Sequence, residues 1–164
     1  MRHAEKVTFG GSALDRAGEI RNDPAAIEAA LADTGSRAIL FWRGKPLIDP
    51  ARPAGLVRLD MTHPVLSDAA APPILLGREE GAPRFAFDIS GWEPDDLDPA
   101  QLGAFADPSE QRHPALDADL AFVELRRAMT WLSPRDAELA AAGKAILGWH
   151  DSHRFCARCG SASK

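Results

Sequence analysis

Lysine and arginine never gather in this sequence, and that scatter is the first exclusion. The chain has 19 basic and 24 acidic residues, a net charge of −5 and a pI near 5.5. Binding to nucleic acid phosphates needs clustered cations, and the densest group here is only His153, Arg154 and Arg158. No apolar run approaches the roughly 20 residues of a membrane span. The opening MRHAEKVTFGG lacks the apolar core of a secretory signal. Cysteine is almost missing. Cys156 and Cys159 are the only two, and a pair separated by two residues makes no disulfide framework. In a reducing compartment such a pair reads as metal ligands or as a redox pair, so a cytoplasmic protein is expected. Tyrosine is absent, while Trp42, Trp92, Trp131 and Trp149 are spread along the chain. There is no P-loop, and Gly10-Gly11 does not follow a long strand as a dinucleotide fingerprint would.

What is present fits one α+β domain with a small appendage. The chain's 164 residues are 45% hydrophobic, enough to bury a core. Thirteen glycines and 13 prolines cut it into short elements. Residues 12–22 can form a short helix capped by Ser12, with Asp15 three residues on. Residues 23–35 read more clearly: Asp23 as cap, Pro24 at the first helical position, an apolar face of Ile27, Ala30 and Leu31, then Gly35. Arg37 to Trp42 and Pro46 to Ile48 flank Arg43-Gly44-Lys45 as a β-hairpin. Residues 55–60 (GLVRLD) alternate as a third strand. Residues 73–77 and 84–89 form a second hairpin around a polar loop, Glu79-Glu80-Gly81-Ala82. A mainly antiparallel sheet over about 36–90 follows. Residues 91–118, rich in Pro and Asp, read as an irregular connection. Residues 120–131 are helical by pattern, although Phe122 to Leu125 could begin as a strand. Ser133-Pro134-Arg135-Asp136 then opens a long helix reaching about His150, with Leu139, Ala142, Ile146 and Trp149 on its buried face.

The chemistry is concentrated at the end of the chain. Zinc takes four ligands in a tetrahedron, and Cys156-x-x-Cys159, followed by Gly160, has the spacing of half a zinc ribbon. Its usual mate is a second CxxC some 15–20 residues downstream. A thioredoxin-like redox pair would sit at the start of a helix after a strand, whereas here a helix precedes the pair. His150 and His153 could complete a site on paper, although histidines near a helix end often only meet terminal carbonyls. Two inert surface thiols are the remaining reading. The favoured expectation is a ribbon whose partner cysteines lie beyond Lys164. Two thiolates alone should hold zinc weakly, so residues 153–164 are expected to be poorly ordered and metal-free, or else ordered by a second copy that supplies the missing pair.

The same stretch carries a resemblance. Trp149-His150 and His153-Arg154-Phe155-Cys156-Ala157-Arg158-Cys159-Gly160 resemble the helix end and ribbon start of the NADH pyrophosphatase family of Nudix hydrolases. Residues 9–16 (FGGSALDR) are similar to that family's N-terminal opening. Trp42-Arg43-Gly44-Lys45 resembles its first hairpin, and Glu124-Leu125-Arg126 its segment before the long helix. The resemblance implies a Nudix-like N-terminal domain over 1–132, a connecting helix over 133–152, and the first half of a ribbon over 153–164. For the whole protein it implies hydrolysis of NAD(H) to nicotinamide mononucleotide and AMP with Mg²⁺ or Mn²⁺. It also implies a homodimer, a structural zinc held in part by Cys156 and Cys159, and NAD-capped RNA as a further substrate class. No position matches a catalytic residue of the family, so none is assigned.

Three features invite a chemical reading and receive a plain one. Arg78-Glu79-Glu80-Gly81 has letters of a Nudix box but lies in a hairpin turn with Pro83 close behind, and is read as a solvated turn. Residues 93–98 are read as a charged loop, without the central glycine of a calcium site. His63 and His113 each precede a proline and are read as surface residues. The competing class is a non-enzymatic adaptor that binds another protein. Reading the gene past Lys164 separates the two, since only the enzyme needs a second CxxC and a Nudix box there.

Overall fold

The structure is a computed structural model, and it describes residues 13–50, 55–94 and 109–162. Ser12, Gly10-Gly11, residues 9–12 of the family-like opening, and residues 95–98 of the acidic stretch lie outside the described residues. The first helix, α1 (Pro24–Ala32), starts as its cap dictates: the Asp23 side chain accepts from the N–H groups of Ala25 and Ala26. Residues 18–20 form only a single 3₁₀ turn, not the helix expected over 12–22. Ala13 and Ala17 adopt positive φ there, which a helix cannot accommodate. The segment serves the sheet edge instead. Asp15 bridges to Arg78, and Arg21 donates to the carbonyls of Leu75 and Leu76. Those bonds occupy edge groups that would otherwise be open to pairing with another chain.

Strands β1 (Arg37–Trp42), β2 (Lys45–Asp49), β3 (Gly55–Leu56), β4 (Leu59–Asp60), β5 (Ile74–Glu79), β6 (Ala82–Asp88) and β7 (Ala121–Phe122) make the sheet. The order is β3-β2-β1-β6-β5, with β4 also on β1 and β7 on β2. Both expected hairpins form. Each turns on two residues at positive φ, Arg43-Gly44 and Glu80-Gly81, a conformation matched to strand twist. The third strand expected over 55–60 is divided: β3 pairs with β2, whereas β4 pairs with β1. The sheet is mainly antiparallel, yet its central pairing, β1 with β6, is parallel. The two hairpins are therefore joined side by side through their apolar strands. The 120–131 helix is mostly absent. Ala121 and Phe122 join the sheet through Leu47 and Ile48, leaving α2 (Leu125–Ala128) as one turn.

Both faces of β1 are covered, which is why its sequence is a continuous apolar run. Ile39 and Phe41 enter the layer beneath α3 (Pro134–Ser152), together with Leu76, Ala86 and Leu139. Ala38, Leu40 and Trp42 enter the opposite layer with Phe85, Phe87 and Phe122, against which Ile27, Ala30 and Leu31 of α1 pack. The Ser133 side chain caps α3, accepting from the N–H of Asp136. The buried face of α3 is Asp136, Ala137, Leu139, Ala140 and Gly143, with Ile146 and Leu147 partly covered. Trp149, expected on that face, is 49% exposed. The last turn carries it beyond the packed layer, and its ring stacks on His153 instead. Among the described residues, no helix is long and apolar enough to cross a membrane.

Gly143 marks the closest approach of α3 to the sheet. A Cβ there would stand 2.3 Å from the Cζ of Phe41, a ring with no exposed surface. Alanine would gain about 1 kcal/mol of helix propensity, whereas overpacking a buried ring costs about 1–3 kcal/mol. Gly143→Ala is therefore expected to destabilise the domain by about 1 kcal/mol, lowering the urea midpoint at unchanged slope. An unchanged or raised midpoint would show that the Phe41 ring has room to yield.

Candidate functional site

Two clusters of chemically active side chains stand out, one at each end of α3. At its start, Arg58 lies between two carboxylates. Its guanidinium reaches both oxygens of Glu79, at 2.7 and 2.6 Å, and Oδ1 of Asp136 at 2.6 Å. Arg84 donates to Glu79 Oε2 at 2.8 Å. Its Nη1 donates to the carbonyls of Gly35 and Pro83. The loop between β3 and β4, strands β5 and β6, and the first turn of α3 each contribute one residue. Strand phase explains the meeting: Arg84 stands two residues before Ala86, on the face that α3 covers. Asp136 also sits in the first helical turn, where a negative charge is favoured.

This corrects the reading of Arg78-Glu79-Glu80-Gly81 as a solvated turn. Only Glu80-Gly81 turns. Glu79 is the last residue of β5, and its side chain is 14% exposed. Arg78 faces the other way, toward Asp15 and Glu19. The bond from Arg58 pulls the Glu79 carboxyl down, burial opposes it, and the bond from Arg84 adds to the pull. The net result is a pKa of about 2, against an ordinary 4.5. Burial also works against the charge of Arg58, but its bonds to Glu79 and Asp136 outweigh that cost and raise its pKa. Arg58 falls between two strands and no two of the four residues adjoin in the chain, so the sequence carried no signal of their meeting.

At the far end, Phe155 and Ala162 bridge across a tight turn. The Cys156 N–H donates to the Ser161 carbonyl, and the Gly160 N–H to the Cys156 carbonyl, at 2.7 and 2.8 Å. Gly160 has φ +70°, which suits glycine. Residues 155–162 thus form a compact turn closed by its own backbone bonds and its glycine. Both thiols are exposed. Ser161, through its side chain and then its backbone, and Cys156 hold the Cys159 thiol below its ordinary range. The donor set fits zinc in type, with two soft sulfurs on one turn, but supplies two ligands of four. Among the described residues, no third Cys, His, Asp or Glu is grouped with them. His153 lies flat on Trp149, with ring centroids 5.1 Å apart, and its Nδ1 is 3.1 Å from the Trp149 carbonyl oxygen.

His63 and His113 serve the fold. The His63 ring accepts from the Val65 N–H and caps the 3₁₀ turn at 64–68. His113, read as a surface residue, is buried: it leans on Trp92, and its Nδ1 accepts from the Ala115 N–H. Its Nε2 stands 3.0 Å from Asp68 Oδ2 without hydrogen-bond alignment.

A sheet of two hairpins joined by a parallel pair and crossed by a long helix is the setting in which the family match falls. Residues 35–149 match the NADH pyrophosphatase-like rudimentary NUDIX domain, and the chain belongs to that family. Among characterised proteins it is similar to the human mitochondrial NAD(P)H pyrophosphatase NUDT13. The two are 37% identical over 70 residues, covering 42% of this chain and 20% of that protein. The mouse counterpart is 35% identical over 51 residues, covering 30% of this chain and 14% of that protein. The matched stretch is thus a fifth or less of the relatives' length.

The cluster at the start of α3 makes a pH-dependent contribution. The folded Glu79 carboxyl titrates at about 2 and the unfolded one near 4.5. Its stabilisation is complete above about 4.5 and is lost as pH falls through the folded value. Glu79→Gln leaves buried guanidinium donors short of an acceptor and is expected to cost about 1–3 kcal/mol at pH 7. Urea midpoints measured at a series of pH values should show the two proteins converging as pH drops toward 2. A pH-independent gap would show that packing, not charge, is what the substitution removes.

The knuckle generates a second test. Purified without chelator, the chain should carry well under one zinc per monomer by metal analysis. One tightly held zinc per chain in a strict monomer, lost in His153→Ala, would mean that histidine completes the site.

Proposed function

We propose that this chain is the non-catalytic N-terminal scaffold of a metal-dependent NAD(H) diphosphatase, which cleaves the dinucleotide to nicotinamide mononucleotide and AMP. The observation that carries the scaffold reading is the placement of Arg58 between Glu79 and Asp136. Pyrophosphate hydrolysis of this kind needs carboxylates free to hold Mg²⁺ or Mn²⁺ beside the phosphates. Here two inward carboxylates already have guanidinium partners in the position a cation would take. The family match over 35–149 supports the enzyme class, and the relatives' names carry the same activity.

In this reading the domain anchors α3, and α3 presents the knuckle. Cys156 and Cys159 supply half of a structural zinc site, whose other two ligands come from outside the described residues. The parent protein works as a homodimer, with NAD(H) as substrate and NAD-capped RNA as a further one. Its two free thiols suit a reducing compartment, and we place it in the cytoplasm.

Purified residues 1–164 should not hydrolyse NADH with either Mg²⁺ or Mn²⁺, as followed by release of AMP. Turnover that survives purification and disappears in Glu79→Gln would overturn the scaffold reading and make the β5 carboxylate catalytic.

A further inference from the structure

Cys156 and Cys159 occupy the first and fourth positions of a turn closed by the bond from Gly160 N–H to the Cys156 carbonyl. Turn residues so spaced keep their Cα atoms within about 7 Å, a span that overlaps the ~4.4–6.8 Å a disulfide bridges. Both thiols are exposed, so an oxidant reaches them without any opening of the fold. His153 is turned back onto α3, and among the described residues no third ligand is grouped with the pair. The two sulfurs thus have each other as the nearest reactive partner.

We propose that Cys156 and Cys159 are an oxidation site, closed by hydrogen peroxide into an intrachain disulfide when zinc is not bound. The inference rests on the reading of the pair as zinc ligands only in its last clause. One thiolate attacks a peroxide oxygen. The O–O bond breaks, and hydroxide leaves and takes up a proton as water. The attacking sulfur is now a sulfenic acid. The second thiolate attacks that sulfur, the S–O bond breaks, and the departing hydroxide becomes a second water. Two thiols and one peroxide yield one disulfide and two waters, with the sulfurs oxidised by two electrons. The product has no thiolate left to offer a metal, so oxidation and zinc compete for the same sulfur electrons.

The test uses the full 164-residue chain, freed of metal, treated with equimolar hydrogen peroxide and weighed intact without reductant. The expected product is a monomer lighter by two hydrogens, restored by dithiothreitol. Cys156→Ser and Cys159→Ser, whose substitutions fall on exposed positions, should instead accumulate a sulfenic acid that dimedone traps. Disulfide-linked dimers in place of the lighter monomer, or oxygen added to both sulfurs without loss of hydrogen, would overturn the proposal. Zinc added beforehand in large excess, to load a site that two thiolates hold weakly, is expected to slow closure roughly tenfold or more. Closure that zinc does not slow leaves the disulfide standing and removes the zinc reading alone.

Discussion

The hold of Arg58 on Glu79 and Asp136 is the constraint on which the upper half of the molecule depends. It joins residues 21 and 78 positions apart in the chain. Without it, the first turn of α3 would leave Asp136 buried beside a half-buried Glu79, two like charges with nothing between them. With it, and with Arg84 on the same carboxylate, the group sums to neutrality and the helix start is tied to the sheet. A buried ion pair of this kind is weak evidence for net stability, because desolvation offsets most of its attraction. Its physical content is placement: only one seating of α3 brings Asp136 to Arg58.

That seating orders the rest. Farther along α3, Gly143 lets the helix settle onto Phe41, and Lys144 reaches Glu124 ahead of α2 at 3.0 Å. Past Leu147 the helix leaves the packed layer, and the knuckle stands clear of the domain with Phe155 67% exposed. The same geometry pairs the inward carboxylates with guanidinium groups and leaves both thiols exposed.

Much of the fold was legible because it is local. Asp23 before Pro24 and Ser133 before Pro134 satisfy helix N–H groups within three residues, so both caps could be read and both formed. Arg43-Gly44 and Glu80-Gly81 each hold positive φ within a two-residue turn, so both hairpins could be read. The failures share one cause as well. The segment 12–22 carried helix letters, but its bonds go to β5, more than 50 residues away. Residues 121–122 pattern as helix, yet β2 offered them a ladder. Trp149 has the periodicity of a buried residue, but it lies beyond the layer that could bury it.

The candidate sites divide the same way. The turn that carries Cys156 and Cys159 is local, since its closing bonds run between residues 156 and 161. The charged cluster was invisible, because no two of its members are sequence neighbours and one, Glu79, sat among letters that read as a loop. By itself, the sequence determined where strands turn, where helices start, and which sulfurs share a turn, through bonds that close within a few residues. The tertiary structure alone decided that β1 pairs with β6 in parallel, that Glu79 is enclosed rather than solvated, and that α3 carries the knuckle clear of the core. Each of those depends on contacts between distant segments, whose free energy no local window contains.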